Sequence, residues 1–85
     1  MMVPTIHLNG TSREDLEAAA EAAYRALTEA IEKVAALGPN GRDFYPQGPD
    51  ALGQALEEHA QLRGRLEAVR GEVEIYYNAL VDKEV

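Results

Sequence analysis

Apolar and small residues recur at Leu16, Ala20, Ala23, Leu27, Ala30, Val34 and Leu37 in alternating steps of four and three, one stripe of a helix predicted over about residues 12–37. Tyr24 and Ile31 widen the stripe on one side, and Ala19, Ala22 and Ala26 widen it on the other. One partner helix does not cover that much apolar surface, so this helix is expected to pack against two neighbours. A second run, Leu52, Ala55, His59, Leu62, Leu66, Val69, Val73, Tyr76 and Leu80, steps by three and four along a helix predicted over about residues 49–81. Two long helices joined by a short polar segment, residues 38–48, make an antiparallel hairpin. On the far face of the second helix, Gly64, Ala68, Gly71 and Ile75 also step by four, three and four. Small residues in register admit another helix closely; the plainer reading is of surface glycines tolerated at about 1 kcal/mol each.

The ends of these elements carry their own signals. Thr11-Ser12-Arg13-Glu14 reads as a capping box, with Thr11 accepting from the backbone at Glu14 and the Glu14 carboxylate reaching back; Asp15 and Glu17 complement the positive helix end. Gly38-Pro39 stops the first helix, Gly38 as the left-handed residue after the last turn. Gly48-Pro49-Asp50 opens the second, with Pro49 in the first turn. The second helix is longer by about 10 Å at ~1.5 Å per residue, and its last turns are expected to overhang the Thr11 end and present Ile75, Tyr76, Tyr77 and Leu80.

Ahead of both helices, Thr5-Ile6-His7-Leu8-Asn9 alternates polar and apolar, which predicts a strand over about residues 5–9 with Ile6 and Leu8 towards a core. A lone strand leaves its backbone groups unpaired, so the same strand of another subunit is its expected partner. The fold class that follows is mostly α: a hairpin of coiled-coil-like helices preceded by one short N-terminal β-strand and packed into a homo-oligomer. The chain is one domain over residues 1–85, and its predicted oligomer interface comprises Ile6, Leu8, Gly64, Ala68, Gly71, Ile75 and Tyr76.

Composition strengthens the case for self-association. A two-helix chain of 85 residues buries a thin core, and the absence of Cys leaves it no covalent staple. The formal charge of -7, from 15 acidic and 8 basic residues, argues against a nucleic-acid polymer as partner, because phosphate backbones are held by basic stripes. The opening Met1–Leu8 has neither a basic nor a long apolar stretch of the signal-peptide kind, and no later run is long enough to span a bilayer. A cytoplasmic protein without a membrane partner is expected.

Catalytic patterns are scarce. The chain has no Cys nucleophile, no Ser in an elbow setting, no Gly-rich phosphate loop and no His pair at ligand spacing, so neither metal nor cofactor is called for. A phosphodiesterase using His7 or His59 as acid and base is the least supported reading. His59, on the apolar seam, reads as a partly buried histidine bonded to a carboxylate or carbonyl. His7 is either a ligand contact or a solvated strand residue.

The segment between the helices carries more chemistry than a turn needs. Arg42 is a planar fork suited to phosphate or carboxylate, Tyr45 offers a stacking face and a hydroxyl, and Asn40 and Gln47 offer amides. Asp43 can accept from a base, a ribose or Arg42. The structural alternative is an Arg42–Asp43 ion pair with Phe44 and Tyr45 plugging the end of the hairpin. His7 and Asn9 lie a helix length away in one subunit, so a pocket shared with them needs a neighbouring chain.

The segments Thr5-Ile6-His7-Leu8-Asn9-Gly10-Thr11-Ser12 and Asn40-Gly41-Arg42-Asp43-Phe44-Tyr45-Pro46-Gln47-Gly48-Pro49, with the helix lengths between them, resemble a family of small proteins encoded by bacteriophages and prophages. The resemblance implies a non-catalytic oligomer that acts by binding in the cytoplasm of an infected or lysogenic host. By analogy with phage-encoded sponges, it would hold a phosphorylated, nucleotide-like immune signal at subunit interfaces. The alternative is a protein-interaction module that blocks a host or phage protein through its acidic helical face.

Overall fold

The computed structural model describes residues 1–82 and is built from helices: α1 over Arg13–Ala36, a single turn α2 over Gly41–Phe44 that runs into a 3-10 turn at Tyr45–Gln47, and α3 over Ala51–Asp82. The antiparallel hairpin of α1 and α3 is the whole architecture, and it extends 62 Å along its long axis and only 20 and 17 Å across.

Helix α1 begins one residue later than the capping box predicts. Ser12, in extended conformation, is the N-cap, and its hydroxyl accepts from the Asp15 N–H at 3.1 Å. Ser12 meets the requirement that Thr11 was expected to meet, an acceptor three residues ahead of an orphan N–H. The other end also differs from expectation, since Gly38 is not left-handed. The helix instead tightens into 3-10 geometry, with Leu37 N–H bonded to the Val34 carbonyl and Gly38 N–H to the Ala35 carbonyl, both at 3.0 Å. Tightening satisfies the last carbonyls without a left-handed residue.

The polar segment is ordered by its own backbone chemistry. Asn40 caps α2, its side-chain oxygen accepting from Arg42 N–H at 3.0 Å while its carbonyl accepts from Asp43 N–H. Gly48 takes φ 106°, a left-handed value that a side chain would resist. Pro49 then sits at the second position of a turn closed by Ala51 N–H on the Gly48 carbonyl, and the Asp50 carbonyl receives the first α3 bond from Gln54. Pro49 therefore precedes the helix and does not occupy its first turn.

Register decides which faces meet. His59 reaches Val34 and Arg70 reaches Thr28, so the two turns of α3 before His59 project beyond the end of α1, by about 12 Å at ~1.5 Å per residue. The predicted overhang at the Thr11 end is thus corrected to the loop end, where α2 and the 3-10 turn pack against α3. Along α3 the line Leu52, His59, Leu66, Val73 and Leu80, spaced by seven, is turned towards α1, and Leu80 is wholly buried. One flanking line holds Ala55, Leu62, Val69 and Tyr76, and the other holds Leu56, Arg63, Arg70 and Tyr77. Leu62 and Val69, predicted in the seam, remain 38% and 44% exposed because they stand to one side of the inner line.

The strand predicted at residues 5–9 does not form. No other strand exists among the described residues to complete a ladder, and the segment ends in a turn closed by Gly10 N–H on the His7 carbonyl at 3.1 Å. Ile6 is half-buried, but Leu8, predicted to face a core, is almost fully exposed. The core itself is slight: among the described residues only Ala20, Ile31 and Leu80 are buried. No helix of the described residues is long and apolar enough to cross a membrane.

Candidate functional site

The loop-end cluster is one of three chemically distinct places on the hairpin. Gly41, Phe44, Tyr45, Gly48, Pro49 and Leu52 line an open groove of about 490 Å³ between the α2 turn and the projecting start of α3. Its floor is apolar. Phe44 is half-buried and packs the end of the hairpin, whereas Tyr45 stands 85% exposed. Arg42 and Asp43 make no ion pair with each other or with any other described residue, and both are exposed. Arg42 itself is not among the lining residues; its side chain is exposed and its backbone N–H is fixed by Asn40.

Of the sequence-predicted ligand residues, Arg42, Asp43, Tyr45 and Gln47 share this end. Asn40 does too, but its side-chain oxygen serves as the helix cap. His7 and Asn9 sit in the turn before α1, at the opposite end, and the length of α1 keeps them apart from Arg42 in a single chain. The His7 ring lies over Gly10, so close that a Cβ at Gly10 would come 2.7 Å from Nε2. Sequence reasoning passed over Phe44, Leu52 and Pro49 as lining residues; the available signal was Asn40-Gly41, a polar cap followed by a residue without Cβ, which starts a turn that carries Phe44 onto α3.

His59 makes the carbonyl contact that the plainer of its two readings expects. Its Nε2 lies 2.7 Å from the Val34 carbonyl, a group in the tightened last turn of α1 that a ring N–H can satisfy. Arg70 performs a related task on one side of the hairpin. Its guanidinium stacks over the Tyr24 ring at 5.6 Å and donates to Thr28 Oγ1 at 3.3 Å, while that hydroxyl donates to the Tyr24 carbonyl. Beside it, Glu21, Tyr24, Glu74, Tyr77 and Asn78 line a second hollow of about 280 Å³, with the Glu21 carboxylate engaged by Arg25.

The other side of the hairpin is apolar. Met1, Leu16, Ala19, Ala20, Ala23, Val73 and Tyr76 line an open groove of about 220 Å³. The predicted interface residues divide accordingly. Tyr76 belongs to this apolar side, whereas Gly64, Ala68, Gly71 and Ile75 look directly away from α1, with Ile75 71% exposed and open space around Gly64 and Gly71. Among the described residues no group of three or more His, Cys, Asp or Glu is placed to hold a metal ion.

Comparison with protein-family models, with curated proteins and with solved structures gives no match to this chain.

Proposed function

We propose that the protein is a non-catalytic binding protein that works as a homo-oligomer and holds a phosphorylated, nucleotide-like ligand at the loop end of its hairpin. The observation that carries this reading is the Arg42–Tyr45 turn: it is pre-ordered by the Asn40 cap, it leaves a guanidinium without a carboxylate partner among the described residues, and it borders an apolar hollow. In this reading an aromatic or heterocyclic ring lies against Phe44, Tyr45 and Leu52, and the exposed Arg42 of the same turn takes its phosphate. Preorganisation favours binding because little ordering remains to be done when the ligand arrives. Gln47 and Asp43 add polar contacts, and His7 and Asn9 of a neighbouring chain would complete the pocket. The resemblance to phage-encoded small proteins extends the reading to sequestration of a host nucleotide signal in the bacterial cytoplasm.

The test is direct. Purified protein is heat-denatured and its supernatant examined by mass spectrometry, and the refolded or ligand-free protein is titrated calorimetrically with cyclic dinucleotides and ADP-ribose isomers. Binding of one of these, weakened at least tenfold by Arg42→Ala, supports the proposal. Silence across the panel, or an Arg42→Ala variant that binds unchanged, overturns it. Stoichiometric capture of a host protein that survives Arg42→Ala and is lost on charge reversal at Glu57 and Glu58 would instead assign the function to the acidic helical face.

A further inference from the structure

The two sides of the hairpin are finished to different degrees. On the polar side, Arg70 closes over Tyr24 and Thr28, and Arg63 pairs with Glu67 at 3.7 Å. On the apolar side the described residues give only Met1 as cover, at the Leu16–Tyr76 end. Ala19, Ala23 and Ala30 of α1 run alongside Leu62, Val69 and Tyr76 of α3, with no charged residue in either row. The surface of the whole chain is also large for its mass. A compact chain of this mass exposes roughly 5,000 Å², whereas this one exposes 6455 Å². The excess is larger than the roughly 800 Å² per partner that a standard protein interface buries.

We infer that a second copy of this chain covers this side, its hairpin running antiparallel to the first about a two-fold axis at Val69, so that the pair forms a four-helix bundle. The spacing of the apolar row carries the choice of occupant. Leu62, Val69 and Tyr76 are spaced evenly by seven, so a two-fold axis at Val69 sets Val69 against its own counterpart and Leu62 against Tyr76 of the partner. The rim of the face carries Glu58, Arg65 and Glu72, all exposed and also spaced by seven with alternating sign. The same axis brings Arg65 within about one residue of Glu72 of the partner, so the rim attracts itself although the chain as a whole is strongly acidic. The small residues on α1 let the helices of the partner approach closely. Because Val69 lies near the middle of α3, the two hairpins overlap almost end to end. The loop end of one chain then lies beside the His7–Gly10 turn of the other, which deepens the binding reading above by naming the neighbour that completes its pocket.

The chain has no cysteine, so single introduced thiols report geometry cleanly. Val69→Cys is expected to link to its own copy with a short bifunctional maleimide, and an equimolar mixture of Leu62→Cys and Tyr76→Cys chains is expected to link to each other more than Leu62→Cys links to itself. Ala68→Cys, on the outward face, should not link. Sedimentation of Val69→Glu should show dimer affinity reduced at least tenfold with helicity retained, and Ala68→Glu should stay within twofold of the parent chain. A Val69→Glu chain that fails to fold leaves the thiol experiment to decide. Linking at Ala68→Cys alone, self-linking of Leu62→Cys in preference to the mixture, or no linking at all overturns the inference. A dimer that binds no nucleotide refutes the loop reading only, and a monomer that binds one refutes the bundle and the neighbour's part in the pocket but leaves the Arg42–Tyr45 site standing.

Discussion

His59 and Val34 lock the hairpin in register: the imidazole Nε2 of α3 lies 2.7 Å from the carbonyl at the last turn of α1. The bond supplies a second partner to an oxygen that the tightened helix end otherwise shares only with Leu37 N–H. Replacing His59 by Ala removes that donor and part of the packing around it, and should destabilise the chain by about 1–2 kcal/mol. Urea unfolding followed by circular dichroism measures it. A His59→Ala variant as stable as the parent would show that register is set elsewhere.

The N-cap of α1 gives a second, separable outcome. Ser12 bonds Asp15 N–H, so Ser12→Ala should cost about 1 kcal/mol, while Thr11→Ala should stay within about 0.5 kcal/mol. The ordering of the two variants in denaturant midpoint decides between Ser12 and the Thr11 capping box that the sequence pattern suggests.

Leu80 is the one described side chain with no exposed surface, and it closes the end of the hairpin furthest from the loop. Leu80→Ala should lose about 2–5 kcal/mol. For a chain with so slight a core that amounts to unfolding at ambient temperature, read as loss of helical signal. Leu56→Ala, at a 49% exposed position, should cost far less. Similar losses for the two would mean that Leu80 is not the core residue its burial implies.

Arg70 links the polar side of the helices. A double-mutant cycle between Arg70→Ala and Tyr24→Leu should show coupling of about 0.5–1 kcal/mol, the range of a partly exposed cation–π contact. The i,i+4 pair of Glu21 and Arg25 is well exposed, and Glu21→Ala should change stability by no more than about 0.5 kcal/mol. Coupling near zero for Arg70 and Tyr24 would reduce their contact to incidental packing.

The steps of three and four marked both long helices to within two residues of their observed ends, because that period is the geometry of the helix itself. Register was not legible. It depends on which turn of α1 faces His59 and Arg70, and neither helix carries that information in its own pattern. Arg63 and Arg70 were passed over because charged residues read as outward, yet long stems let them lie along the inner flank with their heads turned to partners. The segment at residues 5–9 has strand chemistry but no second strand, and a strand is defined by its partner. At the loop, the residue types raised an expectation of binding without placing any side chain, because a single turn such as α2 has no periodicity to read, and only the folded structure shows Phe44 half-buried and Tyr45 exposed.

The most direct test of the account is the solution mass of the unmodified chain, measured by light scattering between about 1 and 100 µM. A chain of 9.3 kDa that pairs through its apolar side should give twice that mass at the upper end, falling towards a single chain only on dilution. A constant 9.3 kDa across the range would contradict it, leaving the Leu62–Val69–Tyr76 side uncovered and the loop site without its neighbour.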